Sequence, residues 1–383
     1  MKARLGDYIK EYSVRNKGQE DIPVYSVTNS EGFCTGYFDK DVASQDRSTY
    51  KIVPRGCFAY NPSRINVGSV DWQRNLDRVI VSPLYVVFSV SPNLLPQYLY
   101  YYLKSDISLT FIRAVATGSV RDNLKFAMLQ EFPIEMRTIA EQAEIVAILD
   151  RVKAICDMYR QKLHNLDTLI KARFVEMFGD PVSNPKGWPM PRIEEVVSAD
   201  KNALKAGPFG SALKKEYYVE SGYKIYGQEQ VISGNPDYGD YYIDEERYHQ
   251  LENCSVQAGD VLISLVGTYG KLLIMPQVFE PGIINPRLMK ITFDKGKVNP
   301  YYFQHYFQSE SLKKALADNT HGGTMDILNL GIVKNLRMPL PPIELQNSFV
   351  DFVSQVDKSK AVVQEALDKA QLLFDSLMQQ YFG

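Results

Sequence analysis

Two segments of the chain carry apolar residues at alternating steps of three and four positions, a spacing that predicts one apolar stripe along a helix. The first stripe comprises Ile145, Leu149, Val152, Ile155, Tyr159, Leu163, Leu166, Ile170, Phe174 and Met177. The second comprises Phe349, Val353, Val356, Ser359, Val363, Leu367, Ala370, Phe374, Leu377 and Tyr381. A stripe that persists over about 40 residues is typical of a helix roughly 60 Å long that pairs with a second helix.

Residues at the ends of these segments agree with two long helices. Thr138 and Glu141 have the spacing of an N-terminal capping box. The pair Pro341–Pro342 stands before the second segment, where proline suits a first helical turn. Gly179 and the following Pro181 are typical of a helix that stops there.

The two stripes belong to an internal repeat in which residue n matches residue n + 204. The matched pairs are Pro96 and Pro300, Tyr98 and Tyr302, Tyr102 and Tyr306, Gly118 and Gly322, Asp122 and Asp326, Leu124 and Leu328, Ile139 and Ile343, Gln142 and Gln346, Val146 and Val350, and Phe178-Gly179 and Phe382-Gly383. Earlier in the chain the offset is 203, with Gly56 opposite Gly259. Identities that keep one register through two helical segments indicate a duplication.

The repeat predicts an α+β protein made of two similar α/β domains, 1–139 and 180–343, separated by helices over 140–179 and 344–383. Segments rich in β-branched and aromatic residues predict strands within these domains, at 79–90, 259–264 and 288–293. If a pseudo-twofold axis relates the halves, the long helices run antiparallel and bury their stripes together as a coiled coil. The alternative is that each helix packs on its own globular domain.

Composition and charge narrow the class of protein. A chain of 383 residues exceeds one ordinary core and fits two or three domains. Its net charge of −2 argues against a strong freestanding nucleic-acid binder. The excess of acidic residues lies largely in 344–383, which holds 3 Lys+Arg against 6 Asp+Glu. Any DNA binding by the near-neutral domains would therefore rest on a local patch or on partner proteins.

The expected compartment is the cytoplasm. The first ten residues lack the charged-then-apolar pattern of a secretion signal. The longest apolar run, over 94–103, is broken by Pro96, Gln97 and several tyrosines, so we expect no membrane-spanning segment.

The residues of common catalytic sites are missing from the expected spacings. The four cysteines and four histidines are dispersed, which predicts no metal site. Tyr60–Ser63 comes nearest to a DNA methyltransferase motif but lacks its second proline and aromatic residue, and no Asp-x-Lys or Glu-x-Lys nuclease dyad occurs. The glycine-rich segment Gly207–Ser211 lacks the lysine of a phosphate-binding loop. These absences favour a binding protein over an enzyme.

Several segments occur in one order along the duplicated chain: GCFAYNPSRINVGSV, VSPLYVVF, RTIAEQAEIVAILD, ARFVEMFGDP, GPFGSALKKEYY, GDVLISLVGTYGK, INPRLMKITF and LPPIELQNSFVDFV. In these segments, and over essentially its whole length, the chain resembles the specificity subunits of Type I restriction-modification systems. The resemblance implies that each α/β domain is a target recognition domain that reads one part of a bipartite, asymmetric site in double-stranded DNA.

The resemblance also implies partners for the chain. The two long helices would pair antiparallel, set the length of the unread DNA spacer and dock two methyltransferase subunits, and restriction/translocase subunits would join that core. The chain itself would be non-catalytic and hold no cofactor, with S-adenosylmethionine bound by the methyltransferase. Two other functions remain open, namely a fused restriction or methylation enzyme and a scaffold that binds no DNA.

Base reading requires polar side chains on loops that reach the major groove. The candidates in the first domain are Thr28, Asn29, Arg47, Lys51, Asn61, Ser63, Arg64 and Asn66. Those in the second domain are Ser211, Lys214, Lys215, Gln228, Gln230, Thr268, Tyr269 and Lys271, and Arg121 and Thr324 flank the duplicated glycine-containing loops. Any of these residues can instead cap a turn or solvate a surface. Arg64 and Lys271 are favoured because both lie in repeat-matched loops between strands.

Overall fold

The structure is a computed structural model that describes residues 2–35, 46–115, 123–265, 271–318 and 328–383. It divides into two compact units. Unit 1 comprises Met1–Gln161 and Val363–Gly383, and unit 2 comprises Lys162–Val362. Both boundaries fall inside long helices, so each unit contains one segment of each long helix.

Unit 1 is built around an antiparallel sheet, and its helices follow most of the strands along the chain. Its described elements are β1 Lys2–Arg4, β2 Ile9–Glu11, β3 Ser26–Thr28, β4 Gly32–Cys34, β5 Lys51–Pro54, β6 Phe58–Tyr60, β7 Val70–Trp72, β8 Arg78–Val81, β9 Val86–Val90, α1 Pro96–Lys104, α2 Asp106–Val115, α3 Phe126–Gln130, β10 Pro133–Glu135 and the start of the long helix α4 Ile139–Phe178. The main sheet has the order β2-β9-β6-β7 with every pair antiparallel. Its face is covered by Tyr98 and other buried residues of α1.

Unit 2 repeats this arrangement. Its described elements are the end of α4, β11 Leu204–Ala206, β12 Tyr223–Tyr226, α5 Gln228–Ser233, β13 Tyr242–Ile243, α6 Glu245–Gln250, β14 Val261–Ser264, β15 Leu272–Ile274, β16 Gly282–Ile284, β17 Leu288–Ile291, α7 Pro300–Phe307, α8 Glu310–Asp318, α9 Leu330–Asn335 and the start of the long helix α10 Ile343–Phe382. The main sheet has the order β11-β17-β14-β15, again antiparallel throughout. The predicted duplication of one α+β domain is confirmed.

A second strand pairing is also shared by the two units. In unit 2, β12 pairs in parallel with β16, placing Ile225 opposite Ile283. In unit 1, a parallel bridge joins Val24 to Ile80 of β8. After this parallel pairing, the chain of unit 2 enters α5, which packs beside β14, and the chain of unit 1 enters β3.

A buried glutamine at the start of each long helix ties that helix to its globular domain. The Gln142 carboxamide accepts from the backbone N of Leu95 (2.8 Å) and donates to the carbonyl oxygens of Asn93 (3.0 Å) and Arg137 (2.9 Å). Gln346 makes the same three bonds to the residues 204 positions further along, and both glutamines are 0% exposed. The duplication therefore extends to individual hydrogen bonds.

The long helices α4 and α10 each contain 40 residues. The capping box before α4 is present, because Glu141 N donates to Thr138 Oγ1 (3.3 Å) and Thr138 N donates to a Glu141 carboxylate oxygen (2.8 Å). Gly179 has φ +80°, and its N donates to the Val175 carbonyl (2.8 Å) where the helix ends. In the described part of the chain, neither these nor the shorter helices have the apolar length needed to cross a bilayer.

The segments of the two long helices pack together in each unit. In unit 1, Ile145 and Leu149 share a core with Met378 and Phe382. In unit 2, the ring of Phe349 lies 5.4 Å from that of Phe174 and 5.5 Å from that of Phe178. Since the start of one helix packs near the end of the other in both units, the pair is antiparallel, as predicted. Each segment also packs on its own globular domain. Pairing of the helices and packing of each helix on its domain, which were alternatives in the sequence analysis, therefore occur together in the same core.

The buried stripe differs from the predicted one at one position in each helix. Ile155 is 38% exposed, whereas its neighbour Cys156 is 2% exposed. Ser359 is exposed, whereas Lys360 is half-buried. Cys156 and Lys360 are equivalent in the repeat, and both lie on the side of their helix that faces the core. The position of a residue around the helix therefore decides burial here, although Ile155 is more hydrophobic than Cys156.

Candidate nucleic-acid interface

An open cleft in unit 1 lies where the chain leaves β3 and β6. Its volume is about 320 Å³. It is lined by Ser26, Val27, Thr28, Asn29, Ser30, Asn61, Arg64, Val67, Ser69 and Tyr85. This unit 1 cleft brings together four of the predicted DNA contacts, Thr28, Asn29, Asn61 and Arg64, from loops that are distant in sequence.

Local hydrogen bonds shape the loop that carries Arg64. The Asn61 side-chain oxygen accepts from the backbone N (3.1 Å) and the hydroxyl (2.9 Å) of Ser63. The backbone N of Arg64 donates to the Asn61 carbonyl (3.0 Å). An asparagine that closes its own turn holds the backbone in place. The exposed Arg64 side chain therefore extends from a constrained loop.

Lys104 joins the two walls of the unit 1 cleft. Its ammonium donates to the carbonyl oxygens of Asn29 (3.4 Å) and Gly68. Burial lowers the pKa of Lys104, while the charge of Asp71 acts to raise it. A Cβ at Gly68 would lie 2.7 Å from the Asn29 side-chain oxygen, so this close approach requires glycine. Sequence reasoning missed Lys104, because its role arises only when the two loops meet.

The hairpin β3–β4 is fixed to the sheet by a buried carboxylate. Asp71 is 2% exposed, accepts from the backbone N of Phe33 (3.2 Å) and pairs with Arg74 (2.9 Å). Burial raises the pKa of Asp71, against the lowering effect of the Arg74 charge. Gly32, at φ +67°, has no room for a Cβ beside this carboxylate. One wall of the cleft is therefore held in a set position before any ligand arrives.

Some predicted contacts in unit 1 have internal roles. Thr28 is 7% exposed, and its hydroxyl accepts from Glu31 N (3.1 Å). The Lys51 ammonium donates to the Tyr85 carbonyl (2.6 Å), and burial lowers the pKa of Lys51. Three further candidates lie outside the cleft lining, namely Arg47, Ser63 and Asn66.

In unit 2, a chain of polar side chains lies at the equivalent ends of β12 and β14. Gln228 Nε2 donates to Ser264 Oγ (2.8 Å), and Arg287 Nη1 donates to Gln228 Oε1 (3.3 Å). Lys271 lies beside them, because the backbone N of Ser264 donates to its carbonyl (3.4 Å). We call Gln228, Ser264, Lys271 and Arg287 the unit 2 polar cluster. Lys271 and Arg287 are both exposed.

The turn that precedes Arg287 positions its guanidinium. The Asn285 side-chain oxygen accepts from the backbone N of Arg287 (2.9 Å), and Leu265 N donates to the Arg287 carbonyl (2.9 Å). Arg287 was not among the predicted contacts. It lies within the segment INPRLMKITF, but its link to Gln228 joins residues 59 positions apart and has no local sequence signal.

The remaining predicted contacts fall into three groups. Gln230 is 2% exposed, accepts from Gly227 N (2.8 Å) and donates to the Tyr238 carbonyl, so the structure places it in the interior. Three exposed candidates lie on the surface outside the polar cluster, namely Ser211, Lys214 and Lys215. Four candidates lie outside the described residues, namely Arg121, Thr268, Tyr269 and Thr324.

A second cavity, of about 640 Å³, lies in unit 2 beside its long-helix segments. The His305 ring faces it and lies 5.1 Å from the ring of Phe349. Burial lowers the pKa of His305 to about 4, so this imidazole is neutral near pH 7. Lys360 pairs with Asp167 across the helices (2.7 Å). Over the described residues, no three His, Cys, Asp or Glu side chains are grouped in a way that would hold a metal ion.

The chain contains two divergent copies of one sheet domain. Each copy has polar residues at the same strand ends and is joined to the paired long helices. This arrangement defines a class of duplicated recognition proteins. The chain belongs to the family described as the Type I restriction modification DNA specificity domain, whose profile matches residues 6–167 and 185–370.

Individual relatives agree with this family. The chain is similar to the Type I restriction enzyme MjaVIII specificity subunit of Methanocaldococcus jannaschii, with 20% identity over 293 residues that cover 71% of this chain and 67% of the relative. A chain from a structural study of complex assembly and conformational transition in the type I restriction-modification system shares its fold, with a TM-score of 0.62, 17% identity and coverage of 100% and 97%. The S subunit of the Type I restriction-modification system from M. genitalium also shares the fold, with a TM-score of 0.53 and 15% identity. The match covers 100% of this chain and 96% of that subunit.

Proposed function

We propose that this chain is the DNA-reading subunit of a Type I restriction-modification complex, in which each unit reads one part of a bipartite site. The observation that carries the proposal is the presence of two polar sites, the unit 1 cleft and the unit 2 polar cluster. They lie at equivalent strand ends in two copies of one sheet, yet they hold different side chains. A framework shared by the two repeats, with loops that differ between them, is expected when two domains recognise different base sequences.

The side chains at these sites suit base reading. An arginine can form two hydrogen bonds to guanine, and asparagine or glutamine can do the same with adenine. Unit 1 offers Arg64 with Asn29, and unit 2 offers Arg287 with Gln228. We therefore assign the first pair to one half-site and the second pair to the other.

The net charge of −2 constrains how such a reader holds DNA. Cations that neutralise phosphates supply nearly all of non-specific DNA affinity and a large share of specific affinity, whereas base contacts supply specificity. A near-neutral reader therefore suits a complex in which partner subunits contact most of the phosphates.

The long helices support docking of two copies of one partner. Met158 and Leu169 on α4 are exposed apolar residues, and their repeat counterparts Val362 and Leu373 on α10 are exposed as well. Equivalent apolar positions in two repeats suit two methyltransferase subunits bound in equivalent ways. In this proposal S-adenosylmethionine binding and methyl transfer belong to those subunits, translocation and cleavage belong to restriction subunits, and the chain itself catalyses nothing.

The test is co-expression of the chain with the methyltransferase subunit of its own system, followed by sequencing of methylated adenines in host DNA. We expect one bipartite motif with a fixed spacer. Arg64→Ala should relax or abolish selection of one half-site only, and Arg287→Ala should do so for the other, because one bidentate contact supplies about 1–3 kcal/mol of base discrimination.

Matched controls are Arg55→Ala in unit 1 and Arg247→Ala in unit 2. Arg55 pairs at the surface with Asp77 (3.2 Å), and Arg247 lies over the Tyr217 ring (3.8 Å). Neither control should change the motif. Absence of any bipartite motif in the wild type would contradict the proposed function, and loss of both half-sites in each arginine variant would contradict the assignment of residues.

A further inference from the structure

Phe209 presents an aromatic ring to solvent. Its side chain is 88% exposed, although phenylalanine is among the residues most often buried in folded proteins. The neighbouring Gly210 has no heavy atom within 4 Å of an ideal Cβ position. The ring therefore adds nothing to the core of unit 2, and its position calls for another explanation.

The loop under Phe209 is firmly supported. Gly207 N donates to the Leu288 carbonyl (2.9 Å), and Ala212 N donates to the Phe209 carbonyl (2.8 Å). On the far side of the turn, Leu213 is 5% exposed and anchors the chain in a hydrophobic core. The backbone is thus held on both sides while the phenyl ring extends outward.

The loop shares its support with the unit 2 polar cluster. A Cβ at Gly207 would lie 1.9 Å from the carbonyl oxygen of Asn285, so the loop lies directly against the turn that positions Arg287. Arg287 in turn bonds to Gln228, and Lys271 directly precedes β15 and bonds through its carbonyl to Ser264 N. An exposed aromatic ring is therefore joined through backbone to exposed cations and a glutamine, a combination suited to nucleic acid.

Exposure alone does not mark such a surface. Val278 is 89% exposed, but it lies two residues from Glu280, whose carboxylate pairs with Lys224 (2.5 Å). What distinguishes Phe209 is the close packing of its loop on the Arg287 turn.

We propose that Phe209 contacts nucleobases of the half-site read by unit 2. The inference rests on the proposed function and adds an apolar contact to it. Apolar side chains, including phenylalanine, contact the thymine methyl group in the major groove. The polar cluster supplies hydrogen bonds and positive charge, and Phe209 supplies an apolar contact that positions the loop on DNA.

The test uses the purified complex of the full chain with its methyltransferase subunits and a duplex that carries the methylated motif. Phe209→Ala should raise the dissociation constant roughly 10-fold, the order found when an aromatic partner of a base is removed. The slope of log affinity against log salt should stay unchanged, because no phosphate-neutralising charge is lost. Phe209→Trp should restore most of the affinity, and Val278→Ala should bind like the wild type.

Each outcome decides between specific possibilities. A Phe209→Ala complex that binds its duplex as tightly as the wild type would overturn the Phe209 contact and leave the proposed function intact. A wild-type complex that binds no sequence selectively would overturn both. Loss of methyltransferase association in Phe209→Ala, with the thermal unfolding midpoint unchanged, would show that the ring contacts a protein subunit instead and would also overturn this inference.

Discussion

His305 shows how one residue can give the two units different chemistry. It stands where unit 1 has Tyr101, whose hydroxyl bonds to Asp150. The imidazole packs against both long-helix segments of unit 2, with its ring 6.5 Å from that of Phe174 and 5.1 Å from that of Phe349, and with the charges of Asp357 and Lys360 nearby. Burial outweighs the raising effect of Asp357 and lowers the pKa of His305 to about 4.

This burial makes the stability of unit 2 depend on pH. The pKa of His305 is about 4 when folded, against 6.5 for an ordinary histidine. Between these values the unfolded chain binds a proton that the folded chain excludes, so stability is lost as the pH falls from about 6.5 towards 4. The wild type should therefore lose free energy of unfolding between pH 7 and pH 5. We expect His305→Phe to make this loss smaller by about 1–2 kcal/mol, measured by urea unfolding at each pH.

The control for this prediction is His249→Gln, which removes an exposed histidine that lies 3.8 Å from Glu245. The free energy of unfolding of this control variant should change with pH as that of the wild type does. An identical dependence in His305→Phe and the wild type would show that burial of this imidazole does not limit stability in acid.

At the scale of elements, each long helix is attached to its domain by a buried glutamine. Gln142 and Gln346 satisfy one backbone N–H and two carbonyl groups apiece. Two of the three bonds join the helix to the segment that leads into α1 or α7, and the third closes the turn before the helix itself. The position of each helix on its domain therefore depends on a polar residue inside an otherwise apolar contact.

Replacing one of these glutamines should destabilise the protein strongly. Gln346→Ala leaves the N–H of Asn299 and two carbonyl groups without their partner, and each unsatisfied buried group costs about 1–3 kcal/mol. We expect the free energy of unfolding to fall by about 3 kcal/mol, measured by urea denaturation. Gln364→Ala, on the exposed face of the same helix where Gln364 bonds to Asp368 (2.8 Å), should cost less than about 0.5 kcal/mol.

At the scale of the whole molecule, each long helix contributes to both units. The chain is therefore not a string of independent domains, because neither unit contains its full core without a segment from each helix. Under the proposed function, the length of the helix pair sets the spacer between the two half-sites.

This arrangement predicts the effect of lengthening the helices. Seven residues inserted in both helices, after Gln161 and after Glu365, keep the heptad phase and add about 10 Å. At 3.4 Å per base pair this corresponds to about three base pairs. We expect the methylated motif to keep both half-sites and to gain a spacer longer by about three base pairs, measured by sequencing of methylated host DNA.

The same insertion in α4 alone serves as the comparison. It should abolish methylation, because the apolar faces of the two helices then lose their alignment. A motif with an unchanged spacer after the double insertion would show that helix length does not control spacing.

The amino-acid sequence by itself determined the duplication, the two long helices and their caps. These features depend on local periodicity and on short-range pairs such as Thr138 with Glu141, which act within one or two helical turns. The pattern also placed Asn29, Asn61 and Arg64 among the candidate contacts, and all three line one cleft.

Only the tertiary structure decided which polar residues work together. Arg287 meets Gln228, and Lys104 joins the loops of Asn29 and Gly68, through contacts between residues far apart in the chain. Gln230 was predicted to face DNA, yet local backbone bonds hold it inside the domain. Burial and partnership of a polar side chain depend on which distant segments approach it, and a one-dimensional pattern does not contain that information.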